Sequence, residues 1–199
     1  KIPITENHKC NPISIYGKTK LKAENYIIKK SMNNFKFIIF RFFNVAGSFY
    51  KKSLGETKSP PEHLVPICIR QILKNKKITI FNNFKTKDGS GVRDYIHVED
   101  ICMAHFKAMK YLYKKFNNKS QILNLGSKTG VSALHIANNL SKLMVKKIKI
   151  IFKNKKKGEP DILISSFKKS KKILNWKPKK NITSILQDSI KWEKKIKKN

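Results

Sequence analysis

Arginine is nearly missing from this 199-residue chain. Of its 45 basic residues three are arginine, Arg41, Arg70 and Arg93, set against 12 acidic residues and a formal charge of +33. A nucleic-acid-binding surface gathers its cations into one stripe and uses guanidinium forks on bases and phosphates. Here lysine pairs run from end to end: Lys29–Lys30, Lys51–Lys52, Lys76–Lys77, Lys114–Lys115, Lys155 to Lys157, Lys179–Lys180 and Lys194–Lys195. With abundant Asn and Ile, the spread reads as coding bias toward A and T acting on permissive surface positions. No specific nucleic-acid partner is expected, and a basic nucleic-acid-binding protein stands as the alternative from a different class. Where arginine persists a guanidinium should be needed, although Arg41 reads as structural and Arg70 as a surface residue.

Other absences narrow the field further. Three cysteines, Cys10, Cys68 and Cys102, lie far apart without C-x-x-C spacing, which excludes a disulfide framework or zinc ribbon and suits a reducing cytosol. The five histidines include no H-E-x-x-H or comparable ligand pair, so no metal is expected. No apolar run approaches the eighteen or so residues of a membrane span, and a soluble, cytoplasmic protein is expected. The eight glycines form no G-x-G-x-x-G or G-x-x-G-x-x-G turn, so a dinucleotide-binding phosphate loop is not in this chain. The chain opens on "KIPITENHKCNP" rather than on Met and is expected to be a fragment.

What is present alternates between helix and strand. Asn11 to Asn34 reads as a helix with Asn11 as N-cap, and "FKFIIFRFF", Phe35 to Phe43, as a strand buried on both faces. Ser48 to Pro61 reads as a loop, and His63 to Lys74 as an amphipathic helix. Strands are expected at Ile78 to Phe81, Val92 to Val98, Ile122 to Leu125 and Ile148 to Phe152, with helices at Glu99 to Tyr113, Ser132 to Val145 and Thr183 to Lys194. This is the α/β class.

Tyrosine precedes lysine by four residues three times, at Tyr16–Lys20, Tyr26–Lys30 and Tyr111–Lys115. In so lysine-rich a chain about one such match arises by chance, so spacing alone distinguishes none of them. Context does. "NPISIYGKTKLKAE" is followed by "RFFNVAG", "HLVP", "ITIFNNFKTKDGSGVRDYIHVED", "ILNLGSKTGVS", "KKKGEPDILISS" and "ILNWKP". In that order and at those separations the series resembles the later part of the UDP-glucose 4-epimerase family, within the extended short-chain dehydrogenase/reductase superfamily, over essentially the whole chain.

The resemblance implies a fold and a chemistry. Residues 1–47 would be the remainder of a Rossmann-like doubly wound parallel sheet that binds NAD. Residues 48–199 would form mainly a smaller α/β domain for the UDP-sugar, with some segments returning to the first. Tyr16 would take the proton of the sugar 4-hydroxyl, and the Lys20 ammonium one turn away would favour its phenolate and hold the nicotinamide ribose. Phe43 would face the nicotinamide. Asn44, His63, Leu64, Phe81, Arg93, Lys156 and Glu159 would cradle the nucleotide sugar, with Arg93 clamping the diphosphate, Phe81 beside the uracil and Glu159 at its ribose. His97 reads as a strand-packing residue. The complete protein would be a homodimer interconverting UDP-glucose and UDP-galactose.

Departures mark where the pattern thins. Phe42 stands where many members have tyrosine, and Lys156 where an arginine usually meets the diphosphate. The Ser/Thr of the family's catalytic triad would precede Lys1, and without it the fragment is expected to be inactive. Sibling nucleotide-sugar enzymes are the nearest alternatives: a UDP-hexosamine 4-epimerase, a dehydratase or a decarboxylase. Leu163, near the position that limits room for an N-acetyl group, hints at tolerance of the hexosamine forms.

Overall fold

The computed structural model describes residues 2–31, 35–49, 51, 53–113 and 119–197. Asn34, Lys52, Lys114 and Lys115, placed by the sequence in a helix end, two lysine pairs and a tyrosine–lysine pair, lie outside them. Among the described residues helices and strands alternate. In chain order they are α1 (Ile15–Lys30), β1 (Ile38–Phe42), β2 (Asn44–Ala46), α2 (Leu64–Leu73), β3 (Ile78–Asn82), β4 (Val92–His97) and α3 (Val98–Tyr113). There follow β5 (Gln121–Leu125), β6 (Gly130–Ser132), α4 (Ala133–Met144), β7 (Ile150–Asn154), β8 (Ile162–Leu163), α5 (Lys168–Leu174) and α6 (Ile182–Ile196). No helix among them is long and apolar enough to cross a membrane.

The first helix begins later than its sequence suggests. Asn11 is not the cap: the Ser14 hydroxyl accepts the Gly17 N–H at 3.0 Å and starts the helix at Ile15. Pro12 explains the glycine: its ring lies where a Cβ on Gly17 would come within 2.8 Å of the Pro12 Cβ.

The aromatic run after α1 also differs from expectation. It holds one shorter strand, β1, which pairs in parallel with β5; the chain then passes through Phe43 to another sheet, where β2 pairs in parallel with β4. The Phe43 N–H still donates to Leu125 O at 3.2 Å. The run is not buried on both faces: no residue of β1 is fully buried, and among the described residues β1 has a strand neighbour along one edge only. Phe35 and Phe42 are left about half exposed.

Strand β4 is the wall between two apolar cores. Its side chains alternate, so Tyr95 joins a cluster built by α2, α4, α6 and β3, while Ile96 joins one built by α3, β5 and Trp176. Parallel pairing of β3 with β7 completes the first half. Its first residues, Val92 to Asp94, lie between antiparallel β6 and parallel β8. The sequence misses β6, β8 and α5, which are too short to show a period. Arg70 is a correction of another kind. It is no free surface residue but donates from Nε to the Glu193 carboxylate at 2.6 Å, and the Glu193 side chain is 2% exposed.

One buried carboxylate fastens these parts. Asp94 accepts from the backbone N–H of Ser127 (2.7 Å), Lys128 (3.1 Å) and Ser165 (2.9 Å), and from the hydroxyls of Ser127 and Ser165. Removing it strands donors, those of buried Ser165 above all, each at about 1–3 kcal/mol. Asp94→Ala should therefore lower unfolding stability by more than ~4 kcal/mol, with Asp94→Asn milder. Urea denaturation checks this, and a loss under ~1 kcal/mol would show that the hub is dispensable.

Candidate functional site

An open cleft of about 1220 Å³ lies where β1 and β4 end and α1, α2 and α3 begin. In α/β sheets the carboxyl ends of parallel strands are the usual place for ligands, since the loops there leave the sheet and helix N-termini face inward. Five of the residues singled out from the sequence line it: Tyr16, Phe43, Asn44, His63 and Leu64. Leu163 lines it too. His63 precedes α2 and is paired through Nδ1 with the Glu56 carboxylate at 2.9 Å.

The three tyrosine–lysine pairs separate by location, not by local contact. Lys20 Nζ lies 5.2 Å from the centre of the Tyr16 ring, and Lys30 Nζ lies 5.8 Å from that of Tyr26, as helical spacing alone produces. Tyr16 lines the cleft, with 71% of its surface exposed. Tyr111 instead donates its hydroxyl to Lys119 O at 3.3 Å. Tyr95 also reaches the cleft, but burial raises its pKa and keeps it a neutral phenol.

What holds α1 at the cleft is Arg41. Its guanidinium donates to both oxygens of Glu24, at 3.0 and 2.5 Å, and to Glu6 O at 3.0 Å. Bonding to Glu24 raises its pKa. Glu6 in turn accepts the N–H of Asn124 on β5 at 2.8 Å. Arg41 is structural, as expected, and its structural task is to position Tyr16.

Arg93 and Glu159 pair beside the cleft, with Lys156 in the same turn as Glu159. Arg93 is in register with Leu163 on β8, and Tyr95, two residues on, is in register with Asn44. Paired strand residues share a face, so Arg93 lies on the face that carries Leu163, Tyr95 and Asn44. Arg93 Nη2 donates to Glu159 Oε1 at 3.0 Å and Nη1 to Val92 O at 3.0 Å. Lys156 to Glu159 is a tight turn closed by the Glu159 N–H on Lys156 O at 3.1 Å. Gly158 sits in it at φ +82°, where a side chain would be strained. Lys155 and Asp161 clasp its base at 2.6 Å.

Phe81 is 40% exposed at the end of β3 and is not brought into the cleft. Phe84 was missed. It is buried, with Lys155 Nζ 4.9 Å and the Arg93 guanidinium 5.8 Å from its ring centre. Only the second aromatic of "FNNF" could have pointed to it. Asp161, inside "GEPD", was likewise left without a role.

His97, Glu99 and Asp188 are the one trio among the described residues close enough to share a metal ion. The imidazole argues against one. Its Nδ1 accepts the Glu99 N–H at 3.0 Å, which fixes the proton on Nε2 and leaves no lone pair there. That N–H lies 3.3 Å from Asp188 Oδ2 but off the hydrogen-bonding line. Lys180 Nζ stands 3.4 Å from Asp188 and 3.6 Å from Glu99, already supplying a cation. His97 is fully buried, the strand-packing residue expected. Burial likewise pushes the Cys68 thiol up to about 12, which makes it inert.

Known proteins share this fold. Residues 1–126 match the NAD dependent epimerase/dehydratase family. The chain is 37% identical over 198 residues to a UDP-glucose 4-epimerase of Lactobacillus helveticus, covering 98% of this chain and 59% of that protein. It superposes on UDP-glucose 4-epimerase from Stenotrophomonas maltophila, solved with NAD and formylated UDP-arabinopyranose, with TM-score 0.92 at 25% identity, over 100% of this chain and 60% of that one. It also superposes on the Bifidobacterium longum enzyme in complex with NAD+ and UDP, with TM-score 0.89 at 26% identity, over 98% and 59%. The chain thus spans about three fifths of the length of the relatives it matches, and its fold is their Rossmann-like α/β fold.

Burial of His97 gives stability a pH dependence. Desolvation holds its pKa below the ordinary 6.5, with Lys180 acting in the same direction and Glu99, Asp188 and Asp100 opposing. Below that value the unfolded chain binds a proton that the folded chain refuses, so stability falls as pH drops. Urea midpoints should decline from about pH 7 to about pH 5, and His97→Gln should flatten that slope. Equal slopes would show that His97 carries none of the linkage.

Proposed function

The chain belongs to the NAD dependent epimerase/dehydratase family, and we propose that it is the part of a UDP-hexose 4-epimerase that carries the acid–base pair and most of the nucleotide-sugar cradle. The observation that carries this reading is the gathering of Tyr16, Phe43, Asn44, His63 and Leu64 around one cleft. Arg93 and Glu159 pair beside it. Residues 1–47 would belong to the NAD side together with β5, α3 and α5. The rest of 48–199 would belong mainly to the sugar side, and a homodimer of the complete protein is part of the same reading.

Tyr16 would take the 4-hydroxyl proton as C4 becomes a ketone, and return it after the 4-ketosugar has turned over in the cleft. An unassisted phenol near pKa 10 is a poor base at neutral pH. Lys20, one helical turn away, holds its ammonium 5.2 Å from the centre of the Tyr16 ring. Asn44 and Arg93 would hold the diphosphate, with Lys156 adding a point charge in place of a fork. Phe43 and Tyr16 fit the nicotinamide end of NAD, which when bound supplies the hydride acceptor and donor. A glycine-rich turn for its pyrophosphate is not among these 199 residues. Leu163 at the cleft supports a second reading, in which N-acetylated hexoses are accepted as well.

In the complete protein Tyr16→Phe should cut epimerisation at least about a hundredfold with nucleotide-sugar affinity largely kept. Tyr26→Phe should leave turnover alone, and unchanged turnover in Tyr16→Phe would sink the assignment. The 199-residue chain alone should neither retain NAD nor interconvert UDP-glucose and UDP-galactose. Absorbance after denaturation and a coupled epimerase assay with added NAD test this. Stoichiometric NAD, or turnover within about tenfold of the complete protein, would overturn the account of the site.

A further inference from the structure

Resting on the proposed function of the site, in which Arg93 meets a diphosphate, we infer that Glu159 determines its specificity by making simple anions compete with a built-in carboxylate. Arg93 Nη2 and Glu159 Oε1 are 3.0 Å apart, with 15% and 35% of their side chains exposed, so the pair can be reached and exchanged from solvent. The Arg93 Nη1 donates to Val92 O at 3.0 Å and is 3.4 Å from Asp161 O, and its Cζ lies 5.8 Å from the centre of the buried Phe84 ring. An anion that takes the Nη2 donor now held by Glu159 displaces that carboxylate, and one that binds another N–H of Arg93 still sits beside it.

The consequence differs between ligands. Free phosphate or pyrophosphate would set a new negative charge beside the Glu159 carboxylate, and on taking the Nη2 donor would also leave that carboxylate without its guanidinium, unfavourable terms that offset the gain at Arg93. A diphosphate attached to a vicinal diol brings two O–H donors, which can satisfy the carboxylate it displaces. Glu159 is built to remain nearby: its N–H closes the Lys156 turn, and Lys155 with Asp161 clasps that turn from below. The carboxylate thus penalises bare anions and spares nucleoside diphosphates. Lys156 and Lys155 alone would attract both kinds alike.

Calorimetric titration of the chain with UDP, pyrophosphate and inorganic phosphate tests this, on the parent and on Glu159→Gln and Arg93→Lys. Glutamine keeps the size and a donor–acceptor pair but removes the charge. Pyrophosphate should bind Glu159→Gln about three- to tenfold more tightly than the parent, with UDP unchanged or weaker, so the preference for UDP falls. Pyrophosphate weakened in step with UDP would overturn the inference, because Glu159 would then merely hold Arg93 in place. The underlying reading fails separately. If Arg93→Lys binds UDP as the parent does, or if the parent binds neither ligand, Arg93 is not a diphosphate site and the inference falls with it.

Discussion

Asp94 takes all five of its donors from two segments remote in sequence, the turn after β5 and the strand end after β8. Both are thereby fixed to β4, the strand whose alternate residues wall the two cores. The functional arrangement depends on this constraint because successive strand residues face opposite ways. Asp94 points inward, so Arg93 and Tyr95 face the side that carries Asn44 and Leu163. A carboxylate satisfied this fully is anchored in direction as well as position, and the neighbouring guanidinium inherits that precision.

The opposite end of the site is held differently. No residue of α1 is buried, and the apolar Ile15, Tyr16 and Tyr26 stand exposed on it. Packing therefore does little to place Tyr16. The task falls to the polar relay Glu24–Arg41–Glu6–Asn124, which ties the helix to β1 and β5. A bidentate clasp defines distance and orientation together, which suits a helix that buries none of its residues. The cleft is thus rigid on its Arg93 side and tethered on its Tyr16 side.

Much of this was legible in the sequence, for physical reasons that differ by element. Helices α2, α3, α4 and α6 declare themselves through apolar residues at helical spacing, because each packs one face on a core. The run Phe35 to Phe43 was legible as strand, but β2, which follows it in another sheet, was not. Pairing is a long-range choice, and nothing local announces that Phe43 changes sheets. Ser14 caps α1 in place of Asn11, its hydroxyl accepting the Gly17 N–H. Tyr16, Asn44, His63 and Arg93 could be named from motif context. Phe84 could not, since its role arises from cations contributed by β4 and by the turn some seventy residues later. Arg70 looked superficial because Glu193, its partner, is 123 positions away.

All three arginines end on carboxylates: Arg41 on Glu24, Arg70 on Glu193 and Arg93 on Glu159. In a chain with 12 acidic residues against 45 basic ones, this sequesters a quarter of the negative charge in fixed pairs. Asp94 and Asp100 are likewise engaged by backbone N–H groups rather than ammonium groups. Few anions remain to interleave among the surface lysines, which repel one another across the whole folded body. Dissolved salt must then do what acidic neighbours do elsewhere. Counter-ions are in effect a component of this protein's surface, and its compactness is a property of the electrolyte as much as of the chain.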